Sequence, residues 1–173
     1  AAEHDTVGLF VFDPGVLEHG APPRVAFLLD ALDSLREDYR ERGGHLLLAR
    51  GDPREMVPEI ATALGVETVT WGRDYSGLAR ERDAAVRQAL ADAGIDREPV
   101  HDGVHHKPGS ITTNAGDPYK VFTYFSKKWH DREKRDPLDP PAADDLAAVD
   151  AGAVAGTQES IPTLADLGFE EPE

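Results

Sequence analysis

Continuous apolar runs and helical stripes alternate along the first hundred residues. Val7–Phe12 (VGLFVF) is an apolar run of strand length that stops at Asp13-Pro14, which predicts a buried strand. Beyond a loop with Gly20, Pro22 and Pro23, residues 24–42 place Val25, Leu28, Leu29, Leu32, Leu35 and Tyr39 on one helical face and charges on the other. Gly43-Gly44 supplies the left-handed stop. Leu46–Ala49 predicts a second buried strand. In the following GDPRE, Asp52 caps a helix, Pro53 takes the first helical position where no N–H is needed, and Glu55 completes a capping box. That helix uses Val57, Ile60, Ala61 and Leu64 and closes at Gly65. Thr68–Trp71 predicts the next strand. The turn 72–77 leads to a helix carrying Val86, Leu90 and Ala93, Gly94 ends it, and Pro99–His101 predicts one more strand.

Strands alternating with helices of this length imply parallel strands joined by crossover helices, in a doubly wound α/β layout. The next segment, ITTNAGDPYKVFTYFSKKW over 111–129, predicts a turn and a short aromatic helix. Phe122, Phe125 and Trp129 share one face, with Asp117 expected as the cap and Pro118 in the first turn. Taken by itself, such a stripe reads as core packing. From Asp131 the pattern fades: Pro137, Pro140 and Pro141 lie among acidic residues and alanines. Residues 131–160 are expected to be a linker, because they offer little apolar surface to offset ordering entropy. Ile161, Leu164, Leu167 and Phe169 are anchors able to dock on another surface. There are no internal repeats.

Composition narrows the picture. The chain has 173 residues, enough for one domain with a core, and no apolar run of membrane-spanning length. It has no cysteine, so thiolate chemistry, disulfides and cysteine metal sites are excluded. Its 33 acidic and 18 basic residues give a formal net charge of −15, spread along the chain. A carboxylate-rich surface holds water and cations, and strong salt screens its self-repulsion, so a halophilic source is expected. Such a surface grips phosphates poorly overall, and the Lys127-Lys128 pair is too small to read as a DNA patch. His105-His106 lacks the third ligand of a metal site, so no metal is expected.

In an open α/β sheet, ligands bind at the carboxyl ends of the strands. The polar groups there are Asp13, Arg50-Gly51-Asp52 and Arg73-Asp74-Tyr75. No P-loop, dinucleotide fingerprint or nucleophile elbow is present.

Three segments in order carry a specific resemblance: FVFDP with RVAFLLDALDSLREDYRERGGHLLLARGDP, WGRDYSGLARERDAAVRQAL, and HKPGSITTNAGDPYKVFTYFSKKW. Together they resemble the N-terminal α/β domain of DNA photolyases and cryptochromes. The resemblance implies a mostly parallel, five-stranded Rossmann-like sheet over residues 1–130, and an acidic interdomain linker over 131–173. That family's domain opens with a strand and an Arg-rich turn. Here AAEHDTV reads as the tail of a helix, so the first, central strand is expected to be missing. The family's N-terminal domain holds a light-harvesting pigment, while a helical C-terminal domain, absent here, holds FAD and binds damaged DNA. The resemblance therefore implies a light-harvesting domain of a deoxyribodipyrimidine photolyase. No catalytic residue is expected in this segment, and the parent would be a cytoplasmic lyase.

The pocket residues it implies are Phe12, Asp13, Arg24, Leu28, Asp74 and Arg80. Phe12 and Leu28 would wall a flat ring, Asp74 would accept from a ring N–H, and Arg24 or Arg80 would meet a phosphate or phenolate. Folate-binding members carry Asn-Glu where Leu78-Ala79 stands, so an 8-hydroxy-deazaflavin or FMN is expected over folate. A cryptochrome-type photosensor and a stand-alone nucleotide-binding module of the stress-protein type are the alternatives.

Overall fold

A computed structural model describes residues 5–170; the reading of AAEHDTV as a helix tail lies outside the described residues at 1–4, and at 5–7 the chain is not helical, with Thr6 in a β-bridge. The strands and helices of the first hundred residues form close to where the pattern puts them. They are β1 (Gly8–Phe12), α1 (Pro14–Leu17), α2 (Pro22–Glu41), β2 (Leu46–Arg50), α3 (Pro53–Leu64), β3 (Thr68–Gly72), α4 (Gly77–Asp92) and β4 (Asp96–Val100). The caps follow the local chemistry. The Asp52 carboxylate accepts from the Arg54 N–H at 2.9 Å, and Gly65 closes α3 at φ 65°, a conformation open to glycine. β4 begins three residues earlier than its apolar content indicates, because the charged run Asp96-Arg97-Glu98 pairs in register with Thr68–Thr70.

The sheet differs from the single five-stranded expectation. β1 and β2 pair in parallel, and β5 (Thr157–Gln158) adds an antiparallel strand to β2. β3 and β4 form a separate parallel pair. The bonds Gly8 N–H to His45 O and Gly51 N–H to Phe12 O show that β1 spends its even-numbered backbone groups on β2. Leu9 and Val11 therefore face an edge with no strand beside it among the described residues. On β3, Asp96 N–H to Glu67 O and Arg73 N–H to Val100 O leave Thr68, Thr70 and Gly72 facing a second open edge. The observed layout is two parallel pairs, open among the described residues at β1 in the first and at both strands of the second.

α3 ties the pairs together. Its Ile60 packs with Leu47 and Ala49 of β2, while its Ala61 packs with Val86, Leu90 and Ile95 beside β3 and β4. The opposite face of β1 and β2 meets α2, where Phe12, Leu46 and Leu48 pack on Val25, Leu29 and Leu32. The β1–β2 pair is thus buried on both faces, as its unbroken hydrophobicity requires.

Beyond β4 the structure revises two expectations. Asp117 does not cap the aromatic helix: its N–H bonds the Thr113 hydroxyl and its carbonyl accepts from the Thr113 N–H, closing a tight turn. The helix, α5 (Phe122–Asp131), starts later and has no buried residue, with Phe122 77% exposed. The aromatic stripe is not core within this chain. The segment expected to be a linker is partly packed. Residues 143–145 and 151–153 form 3-10 turns, Thr6 and Leu146 make a parallel bridge, and Ala151 and Val154 bury against the β1–β2 layer. Leu164 and Leu167 complete the α2 side of the core, with Ile161 and Phe169 beside them. The low apolar content of 131–160 missed this because a few small residues suffice where a preformed sheet face supplies the rest of the contact.

Candidate functional site

The carboxyl ends of β1 and β3, two strands with open edges, both carry an Asp that shapes the next helix. Asp13 follows β1, caps α1 and accepts from the Gly15 N–H at 2.9 Å. Asp74 follows β3, and its Oδ1 accepts from the N–H groups of Tyr75 at 2.5 Å and Ser76 at 3.0 Å. These backbone donors, Ser76 first, hold the Asp74 carboxyl below the usual carboxylate range. Ser76 in turn caps α4, its hydroxyl accepting from the Ala79 N–H. Asp74 is therefore an ionised, exposed acceptor at the mouth of a helix.

The other four predicted residues divide between the two sides. Phe12 is 1% exposed and belongs to the core, meeting Phe10 edge to face at 5.0 Å. Leu28, on α2, is half-buried against the same cluster. Arg24 lies one turn before Leu28 and is exposed, and Arg80 is exposed on α4. Neither arginine makes an ion pair among the described residues. Phe12, Asp13, Arg24 and Leu28 thus lie on the β1–α2 side and Asp74 and Arg80 on the β3–α4 side. No hydrogen bond or ion pair joins the groups among the described residues. Two free guanidinium groups, one ionised acceptor and a partly exposed leucine form a donor set that suits an anionic ring ligand.

Arg73 and Tyr75 were named from sequence as strand-tip polar groups, but their contacts were not read there, nor was the role of Asp83. Asp83 is buried, accepts from the Trp71 indole at 3.2 Å and pairs with Arg82 at 2.7 Å. Its signal was legible: Ala79, Asp83, Val86 and Leu90 form the inward stripe of α4, so a carboxylate there needs partners. Arg73 donates through Nε to the Pro99 carbonyl at 3.1 Å. The Tyr75 hydroxyl bonds His101 Nδ1, with the two rings parallel and 5.9 Å apart. These contacts pin the loop that carries Asp74 to the end of β4, a pairing that depends on tertiary placement.

The cavities lie elsewhere. One of about 430 Å³ lies between the loop 103–111 and α5, and a shallower one of about 310 Å³ adjoins it across Ile111. Among the described residues no group of three His, Asp or Glu side chains could hold a metal ion, and no helix is long and apolar enough to cross a membrane.

A split parallel α/β domain, with paired polar groups at its strand tips, defines the class: a doubly wound domain of the kind that places ligands at a switch point. Comparison with known proteins makes this specific. The DNA photolyase family profile matches residues 1–143, and the chain belongs to that family. The deoxyribodipyrimidine photo-lyase of Halobacterium salinarum is 53% identical over 165 residues, which cover 95% of this chain and 34% of that protein. A crystal structure of a class III photolyase from Agrobacterium tumefaciens aligns with a TM-score of 0.71 at 26% identity, over 84% of this chain and 30% of the other. The photolyase of Sulfolobus tokodaii aligns at 0.68 with 21% identity, over 78% and 30%. That structure contains two FAD molecules, with the implication of a novel light-harvesting cofactor. The chain spans about a third of the length of the curated photolyase that it matches. The acidic, salt-adapted composition accords with a relative from a Halobacterium.

Proposed function

We propose that the chain is the light-harvesting, pigment-binding part of a deoxyribodipyrimidine photolyase whose remaining length carries FAD and acts on damaged DNA. The observation that carries this reading is the 53% identity to the Halobacterium photolyase over nearly the whole chain. The donor set at the strand tips supports it. Arg24 and Arg80 would meet an anionic edge, Asp74 would accept from a ring N–H, and Leu28 would contribute an apolar wall. Phe12 would act from behind, as the buried floor beneath Leu28. The pigment itself supplies absorption at wavelengths the flavin misses and passes the excitation on. An 8-hydroxy-deazaflavin or FMN suits these residues better than a folate, since the exposed Leu78 and buried Ala79 offer a pterin no side-chain hydrogen bond. The residues do no bond-making chemistry in this reading, and the domain works in the cytoplasm beside its own flavin domain.

The same reading fills the gap between the two sheets. The free edges of β1 and β3 match the two sides of one parallel strand, which would give the order β2, β1, inserted strand, β3, β4. A strand there would join the halves of the pigment site, because Asp13 and Asp74 would flank its tip.

The test adds FMN or 8-hydroxy-deazaflavin, in strong salt, to a longer protein that includes a strand able to enter the gap. Quenched pigment fluorescence with about one pigment per chain is expected. Arg24→Ala and Asp74→Ala should each weaken binding about tenfold, consistent with loss of one charged hydrogen bond. If neither pigment binds that longer protein, the light-harvesting reading is lost.

A further inference from the structure

Residues 143–169 clasp the β1–β2 layer from both faces. Ala151 and Val154 bury on the α3 face against Leu47 and Ala49, while Leu164 and Leu167 bury on the α2 face against Leu46 and Leu48. Between them the chain crosses the outer edge of β2 as β5, with Thr157 and Gln158 opposite Ala49 and Leu48. Two paired residues make a short ladder, so each half of the clasp depends on its own contacts. The α2 half has polar ties: Arg36 donates to the Glu159 carbonyl, and Arg50 to the Asp166 carbonyl at 2.8 Å. The α3 half spends its polar groups on itself, the Thr157 hydroxyl meeting the carbonyls of Ala151 and Val154. Among the described residues no hydrogen bond joins the turn 151–158 to α3, and its hold there is apolar.

Met56 of α3 fills the centre of that apolar contact. It is the chain's single methionine, and with no cysteine present its thioether is the only sulfur. The side chain passes between Gly51, at the end of β2, and Gly156, just before β5. A Cβ on Gly51 would stand 2.9 Å from Met56 Cγ and 3.1 Å from Sδ, and one on Gly156 would stand 3.4 Å from Cε and 3.7 Å from Sδ. The sulfur thus lies against the backbone of β2 on one side and of the clasp on the other. Met56 is only half-buried, in the opening turns of α3, so a small oxidant can reach it. Its sulfoxide adds a polar oxygen to a flexible apolar side chain at a place where two backbones leave little space.

We propose that Met56 is an oxidation site, with hydrogen peroxide as the oxidant, and that its sulfoxide opens the α3 half of the clasp. The sulfur takes one oxygen atom from peroxide: an S–O bond forms, the O–O bond breaks, sulfur loses two electrons and water leaves. A methionine sulfoxide reductase with a dithiol reverses the step, giving water and a disulfide. Opening bares the outer edge of β2 and the apolar surface over Leu47 and Ile60, a change that oxidation sets and reduction resets. None of the six pigment residues takes part, so the site stands or falls independently of the pigment reading.

The test treats the 173-residue chain with hydrogen peroxide in strong salt and follows hydrogen exchange by mass spectrometry. Met56 should gain one oxygen by mass. Exchange over residues 151–158 should then speed about tenfold or more, as for a buried polar atom left without a donor. Protection of α2 and of residues 161–169 should persist, and reductase with dithiothreitol should restore that of 151–158. Met56→Leu, which keeps the packing volume, should stay closed and ignore peroxide, whereas Met56→Gln should be open without it. Complete sulfoxide with unchanged exchange over 151–158 overturns the proposal. So does equal acceleration in Met56→Leu, or a loss of protection in α2 as large as that in 151–158, which marks general unfolding. Resistance of Met56 in the folded chain, at a peroxide concentration that oxidises the urea-unfolded chain, overturns it too.

Discussion

The two parallel pairs of this domain are built alike and buried differently. β1 and β2 have helices or packed chain on both faces, and Leu47, Leu48 and Ala49 are 0% exposed. β3 and β4 pack Val69 and Trp71 against α3 and α4, while Thr68, Thr70 and Glu98 lie open on the other side. One pair is held by burial on two sides. The other relies on one apolar face plus polar ties: Thr70 to the Glu98 carbonyl, Trp71 to Asp83, Arg73 to Pro99 and Tyr75 to His101. The comparison teaches that stability and site geometry are divided. The β1–β2 layer supplies the core, and the β3–β4 layer positions the exposed acceptor Asp74.

That division predicts an ordered set of effects, measured by urea unfolding at one fixed high salt concentration. Leu48→Ala should cost the most, about 2–5 kcal/mol, because the site is buried on all sides. Val69→Ala, on the half-covered pair, should cost about 1 kcal/mol. Equal losses would erase the contrast between the layers. Leu164→Ala with Leu167→Ala should come next, at about 2–4 kcal/mol for the pair, since both complete the α2 core. A loss below about 0.5 kcal/mol would mean that residues 161–169 are not part of the folded unit. Asp83→Asn should cost about 1–3 kcal/mol and shift Trp71 fluorescence, because Arg82 loses its anion while the indole keeps only a neutral acceptor. An unshifted spectrum would break the assigned Trp71–Asp83 bond.

The smallest effects concern the start of α4. Ser76→Ala should cost about 1 kcal/mol, as for the loss of an N-cap. Asp74 adds a pH signature. Its folded pKa lies below the unfolded value of about 3.9, so its contribution is complete above that value and lost as pH falls through the folded pKa. Asp74→Asn should lower stability modestly at neutral pH and flatten the profile below about pH 4, so that variant and wild type converge in acid. An identical acid limb in variant and wild type would remove the backbone donors as the cause.

Much of this was legible in the order of residues because it is local. Capping at Asp52 and Ser76, glycine stops at Gly43 and Gly65, and the apolar runs of β1 and β2 each act within a few positions. They were sufficient for the alternating elements and the strand tips. Asp83 and Arg36 were legible in principle as charges on inward stripes, yet their partners were not. Arg36 donates to the carbonyl of Glu159, and burial, reinforced by Arg40 and opposed by Asp33, holds its guanidinium below the usual value.

By itself the sequence determined most helices and strands of the first hundred residues and their apolar faces, because each depends on neighbours within a turn or two, while its composition and the order of its motifs carried the acidic charge and the family resemblance. Tertiary structure alone decided that the sheet divides into two pairs, that residues 143–169 fold onto the first pair, that Phe12 is core, and that α5 leaves its rings uncovered. Those outcomes depend on which surfaces meet across many residues of chain, and a pairing over that distance leaves no periodic mark in either partner.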